Sequence, residues 1–160
     1  MHKAVLLLGV TWIFLLYTYT QNDLYNQMLL KNKLQQAVNQ AAHDASLQIN
    51  VDLKSDGEIV FDRAKAHEAI IASFQYNLNL NDDLTPKEKS FLRHRLEITT
   101  EDYLDEQVIT FPYLYQKRGF QALIHEPSIV LTVRTASYGF SPFSFHGDMY
   151  AFTVVNYSGF

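Results

Sequence analysis

Residues 4–48, AVLLLGVTWIFLLYTYTQNDLYNQMLLKNKLQQAVNQAAHDASLQ, form one helical pattern that contains no proline. The first part is apolar on all sides and carries no charge between Lys3 and Asp23. A helix rises about 1.5 Å per residue, so this part covers roughly 25 to 30 Å, enough to cross a thin bilayer. We therefore predict a transmembrane anchor over residues 1–20.

The residues that flank the apolar run predict its orientation. Lys3 and the amino terminus supply a positive end, which is expected to stay in the cytoplasm. Tyr17, Tyr19 and Tyr25 would then lie at the outer headgroup level. A cleaved signal peptide is the alternative, but the small-x-small cleavage pattern is missing after Leu16. The sequence thus predicts a single-pass cell membrane protein with an extracytoplasmic carboxyl-terminal domain.

Helical character continues beyond the anchor, over residues 21–49. Strong helix formers dominate, with neither proline nor glycine up to residue 48. Apolar side chains recur at steps of three or four and share one face. The predicted packing residues on this face are Leu30, Leu34, Ala37, Val38, Ala41 and Ala45. Because small side chains let another backbone approach closely, they should pack either on the chain's own domain or on a partner helix.

Residues 50–160 predict a small α+β domain with a second helix and an antiparallel sheet. Asp62 is a suitable N-cap for that helix, from residue 63 to about 77. Valine, isoleucine, threonine, tyrosine and phenylalanine concentrate in the predicted strands, which are 58–61, 96–100, 108–115, 128–138 and 149–157. The 140 residues beyond the anchor are enough for a genuine core.

Composition and motifs exclude several classes of function. The chain has no cysteine, so a disulfide framework and a thiolate metal site are impossible. Its net charge is −4, and direct binding of nucleic acid is not expected without a clustered basic face. No nucleophile elbow, zinc motif or phosphate loop occurs. We therefore predict no enzyme activity, no cofactor, no metal and no small-molecule substrate.

Three stretches are candidate functional sites. Residues 79–83 offer oxygen ligands of the kind calcium prefers, but the EF-hand spacing is absent, and a solvated turn is favoured. Residues 97–106 hold five carboxylates, which should stay ionised along an exposed loop. Residues 138–145 are aromatic, yet proline and serine mark them as a loop. The candidate partner surface there comprises Tyr138, Phe140, Phe143 and Phe145.

The arrangement of residues 1–80 resembles that of TadE-like, pilus-associated proteins of Gram-positive bacteria, which are minor pilin-like components of tight-adherence and type IV-like pilus systems. The resemblance rests on the short basic start, the anchor and its polar continuation ending in AAHDASLQI at 41–49. GEIVFD at 57–62 then leads into the second helix. Prepilins also carry a glycine before the mature helix and a glutamate five residues into it. No glutamate follows Gly9, so peptidase processing and insertion as a repeating shaft subunit are not expected.

The resemblance implies a non-enzymatic, membrane-anchored assembly component of a bacterial pilus, secretion or DNA-transfer apparatus. Its partners would be membrane lipid and other pilin-like or machine subunits, including further copies of this chain. The alternatives are a membrane-tethered extracytoplasmic binding or sensor module and, less favoured, a tethered enzyme. A sensor would need a cytoplasmic output, and three residues before the anchor leave little room for one.

Overall fold

A computed structural model of the chain describes residues 2–55, 58–117, 119–137 and 147–157. The helices are α1 (His2–Ser46), α2 (Val51–Ser55) and α3 (Arg63–Leu78). The strands are β1 (Glu97–Leu104), β2 (Tyr113–Lys117), β3 (Phe120–Ile124), β4 (Ser128–Ser137) and β5 (Gly147–Asn156). The predicted fold class is confirmed: a long amino-terminal helix leads into an α+β domain with antiparallel sheets.

Helix α3 runs back along α1. At its start the Asp62 side chain accepts a hydrogen bond from the Lys65 N–H at 3.2 Å, which confirms the predicted cap. The Asp62 N–H itself donates to the Gln48 carbonyl at the far end of α1, at 2.9 Å. At the other end, the Ser90 hydroxyl donates to the Leu78 carbonyl at 2.7 Å. The two helices are therefore antiparallel neighbours.

Strand β4 is the centre of a three-stranded antiparallel sheet in the order β1-β4-β5. Its pairing with β5 extends from Ser128 opposite Asn156 to Ser137 opposite Gly147. Alternate β4 side chains lie on opposite faces of the sheet. One face meets α1 and α3 in the main core. That core includes Leu34, Val38, Phe74, Ile129, Leu131 and Val133.

A hairpin of β2 and β3 covers the opposite face of the sheet. Val130 of β4 packs there against Tyr115 and Ile124 in a second apolar cluster. The rings of Phe120 and Phe152 lie 4.3 Å apart between hairpin and sheet. The domain consequently has three layers, with helices, sheet and hairpin in that order.

The structure corrects several predicted strands. Residues 58–61 form no strand but a single bridge between Ile49 and Phe61, because this short connection has no second extended neighbour. The strand predicted from residue 108 begins at Tyr113, since the Val108 and Ile109 N–H groups donate to the Asp105 carbonyl in a turn. Strand β3 was not predicted at all.

Candidate membrane and assembly surfaces

Residues 3–19 of α1 are exposed throughout. Its large apolar side chains from Val5 to Tyr19 are 44–70% exposed. The helix is long and apolar enough to cross a membrane. The Thr11 and Thr18 hydroxyls donate to the carbonyls four residues earlier, each at 2.8 Å. These two hydroxyl groups are thus satisfied within the helix, as hydrocarbon surroundings require.

The second half of α1 is built into the domain. Of the six predicted packing residues, five are fully buried in the main core and one is partly buried against it. The buried five are Leu34, Ala37, Val38, Ala41 and Ala45, and the sixth is Leu30. Their neighbours come from α3, β4 and β5. The structure therefore places this face on the chain's own domain, and a partner would have to contact other residues of α1.

Gln35 has a structural role that the sequence pattern did not reveal. Strand β5 is an outer strand of the sheet, so its free backbone groups could pair with another chain. The Gln35 side-chain amide donates to the Phe152 carbonyl of β5 at 2.8 Å and to Asn39 at 3.0 Å. The polar flank of α1 thereby covers part of this edge.

An open groove of about 750 Å³ lies between α1 and α3 on the outer surface of the helix pair. Small and polar side chains line it, and Tyr76 stands 88% exposed at its side. The lining residues are Lys33, Gln36, Ala37, Gln40, Asp44, Ala69, Ala72, Ser73, Tyr76 and Asn77. A helix could approach closely here because no large side chain except Tyr76 blocks the groove.

A second cleft, of about 410 Å³, lies between the hairpin and the sheet. Its walls are aromatic and threonine-rich, with Phe120, Tyr150 and Phe152 among them. At one end the Tyr115 hydroxyl and the Lys117 ammonium both donate to the Asp102 carboxylate, each at 2.7 Å. The polar groups at this end are therefore paired with one another, so the apolar walls are the part of the cleft available to a ligand.

We predicted that the carboxylates of residues 97–106 lie along an exposed loop. This prediction is wrong, because most of these residues form strand β1. Glu101 accepts hydrogen bonds from the Tyr103 hydroxyl at 2.6 Å and lies 2.9 Å from the His67 ring nitrogen. Burial, together with the Glu101 carboxylate, raises the pKa of Tyr103. Glu97 and Asp148 flank the Arg134 guanidinium, and these contacts raise the pKa of Arg134.

Asp105 is the most unusual carboxylate of this stretch. Its side chain is fully buried, and neither oxygen has a hydrogen-bond partner among the described residues. The half-exposed guanidinium of Arg63 lies 3.9 Å away. A buried carboxylate needs a cation close by, so Arg63 and Asp105 hold the start of α3 against the end of β1.

The loop at 79–83 uses its oxygens internally. Asp83 accepts hydrogen bonds from the Thr85 hydroxyl and N–H, which lower the pKa of this carboxyl group. The Gln75 amide donates to Asp82 at 3.3 Å. Within the part of the chain that the structure describes, no three His, Asp or Glu side chains are placed to hold a metal ion. The predicted partner surface at Tyr138, Phe140, Phe143 and Phe145 lies outside the described residues.

Comparisons of the chain with models of protein families, with curated proteins and with solved structures give no match. Helix α1 remains the feature that connects the candidate surfaces. Its bare half suits lipid, and its packed half forms one wall of the open groove.

Proposed function

We propose that this chain is a single-pass membrane protein, with its amino terminus in the cytoplasm, that serves as a non-enzymatic, pilin-like assembly component of a bacterial pilus, secretion or DNA-transfer apparatus. The observation that carries the proposal is the division of α1 into a bare apolar half and a half inside the core. The bilayer receives the first half, and the second half holds the domain at a fixed height above it.

Exposed apolar area favours lipid around the first half. Burying one large apolar side chain contributes about 1.5–3 kcal/mol, and twelve such side chains between Val5 and Tyr19 are exposed. A patch of this size on a soluble monomer would drive aggregation. Lys3 precedes the apolar run and supports the cytoplasmic placement of the amino terminus.

The groove between α1 and α3 supports a role in assembly. It is open, lined by small and polar residues and formed in part by the same helix that enters the bilayer. A subunit that is anchored in the same membrane would bring its own helix alongside at the same height. The resemblance to TadE-like proteins over residues 1–80 is consistent with neighbours of this kind.

Single-cysteine variants test both parts of the proposal, because the chain has no cysteine of its own. Asn32→Cys should react with a membrane-impermeant maleimide on intact cells, because this position is exposed on the extracytoplasmic part of α1 and lies outside the groove. Ala45→Cys is the matched buried control and should react only after unfolding. Protection of Asn32→Cys until the cells are lysed would overturn the proposed orientation.

Crosslinking tests the groove. Gln36→Cys and Tyr76→Cys, on opposite sides of the groove, should give crosslinks in intact cells to a second copy or to another subunit of one membrane apparatus. Val108→Cys, which is 53% exposed outside the groove, is the control. Recovery of uncrosslinked monomer alone from both groove positions would contradict the assembly role.

The cleft beneath the hairpin favours a second candidate, a membrane-tethered binding module. Its volume falls in the range of small-molecule sites, and aromatic residues line it. Thr132→Phe should fill this cleft. If ligand binding is the function, cell-surface extracts should stabilise the original chain against unfolding but not the variant. The variant should keep its groove crosslinks.

A further inference from the structure

Residues 87–95, here called the basic loop, are charged opposite to the rest of the chain. The loop carries four cations, Lys87, Lys89, Arg93 and Arg95, and one carboxylate, Glu88, a net charge of +3. The whole chain has a net charge of −4, so its other residues sum to −7. All five charged side chains are exposed. Arg95 lies beside Asp82, Asp83 and Glu97, so the local basic surface is formed by Lys87, Lys89 and Arg93.

The loop lies at the end of the domain nearest the apolar half of α1. It follows α3, which returns along α1 towards that half, and Ser90 bonds to the last turn of α3. The Lys33 ammonium lies 3.1 Å from the centroid of the Phe91 ring. Ser90, Phe91 and Arg93 also line a cavity that they share with Asn26, Gln27, Leu29 and Leu30 of α1.

The height of the loop matches that of the lipid headgroups. A hydrocarbon core of about 30 Å takes up about 20 helical residues, so a core that begins at Ala4 ends near Asp23. The headgroup layer adds roughly 5–7 Å, or about four residues. The loop contacts α1 from Asn26 onward. Ser90, Phe91 and Arg93, which line this cavity, therefore lie within about one Debye length, 8–10 Å, of the lipid phosphates.

Apolar surface continues from the anchor towards the loop. Leu29 of α1, which lines this cavity, is 38% exposed, and Phe91 at the centre of the loop is 52% exposed. Cations that surround an exposed aromatic residue are typical of surfaces that lie on anionic membranes. Both charge and apolar contact thus favour a lipid surface as the occupant.

We infer that the basic loop binds the anionic headgroups of the bilayer that α1 spans, and so fixes the tilt of the domain on the membrane. This inference rests on the membrane anchoring proposed above. Removing one lysine near an anionic surface should lower the equilibrium constant of the surface-bound state about fivefold at low salt.

The test uses the full chain in nanodiscs of phosphatidylcholine, with or without phosphatidylglycerol. A neutral fluorophore on Glu88→Cys reports approach of the loop to headgroup-attached quenchers. Quenching should be stronger with phosphatidylglycerol and should fall as salt is raised. Lys87→Gln with Lys89→Gln should lower the equilibrium constant of the surface-bound state, obtained from the quenching, about 25-fold, as two lysines at fivefold each. The matched control is Lys54→Gln with Lys65→Gln, which makes the same charge change at the opposite end of the domain and should leave quenching unchanged.

Equal quenching in the two lipid compositions, or no response to salt, would overturn the inference without any variant. Equal loss in the control pair would also overturn it, because net charge rather than the loop would then be responsible. Trp12 is the only tryptophan and reports insertion separately, through quenchers on the acyl chains. Quenched Trp12 with an unquenched loop would refute the loop contact alone, whereas unquenched Trp12 would refute the anchoring as well.

Discussion

The two halves of α1 share one unbroken backbone but differ in almost every other respect. Up to Leu16 the helix is apolar on all sides and exposed, whereas from Leu30 onward one stripe is buried and the remaining face is polar. All-round apolarity suits a membrane and a one-sided stripe suits a domain. The difference teaches that a helix boundary and a domain boundary need not coincide, because side-chain pattern rather than backbone continuity sets the environment.

The largest expected effect comes from charging the bare half. Leu8→Arg combined with Ile13→Arg puts two arginines in the apolar run, each costing about 2.5–3.5 kcal/mol at the centre of an inserted helix. We expect the chain to leave the carbonate-resistant membrane fraction. Asn39→Arg, on the exposed polar face of the packed half, should stay in it. Full retention of the double variant would show that the bare half does not need lipid.

Truncating the same side chain in each half sharpens the contrast. Leu34 is completely buried, so Leu34→Ala should lower the free energy of unfolding by about 2–5 kcal/mol. Leu24→Ala makes the same change in the same helix at a site that is 55% exposed, and should alter it by less than about 0.5 kcal/mol. Denaturant unfolding of the full chain in micelles measures both. Similar losses would mean that the packed half contributes nothing special to the core.

A smaller effect is expected at the edge of the sheet. Gln35→Ala removes the hydrogen bond to the Phe152 carbonyl and should destabilise the domain by about 0.5–1.5 kcal/mol. Gln36→Ala is the neighbouring control on the groove side, where a change within about 0.5 kcal/mol is expected. The same unfolding measurement applies. Faster hydrogen exchange along β5 in the Gln35 variant alone would support the role in covering this edge.

The smallest effect is a pH dependence at the start of α3, the helix that packs against the second half of α1. Hydrogen bonds from Lys65 lower the pKa of Asp62 below 3.8, its ordinary value. The carboxylate therefore contributes stability above about pH 4, and the contribution is lost as the pH falls through the lowered pKa. Asp62→Asn keeps a good N-cap but cannot titrate, so the melting temperature of the variant should fall less than that of the original chain below pH 4. Parallel melting curves for the two proteins would exclude this contribution.

Periodic and capped elements were predictable from the sequence, whereas contacts between them were not. The cap at Asp62 and the unbroken apolar stripe gave both long helices to within a few residues. The stripe from Leu30 to Ala45 could not distinguish the chain's own sheet from a partner, because small residues suit either neighbour. Strand β3 was not predicted because its five residues show little alternation of apolar and polar side chains. Its formation depends on the sheet beneath it. The basic loop was not predicted because acidic residues in the surrounding sequence outnumber its four cations.

The continuity of α1 has a consequence for the rotational orientation of the domain about the helix axis. A helix turns by about 100° per residue, and α1 has no break between its halves. Rotating the lipid-embedded portion about its long axis must rotate the open groove through the same angle. A protein that binds the embedded portion could therefore set the direction in which the groove faces, without contacting the domain.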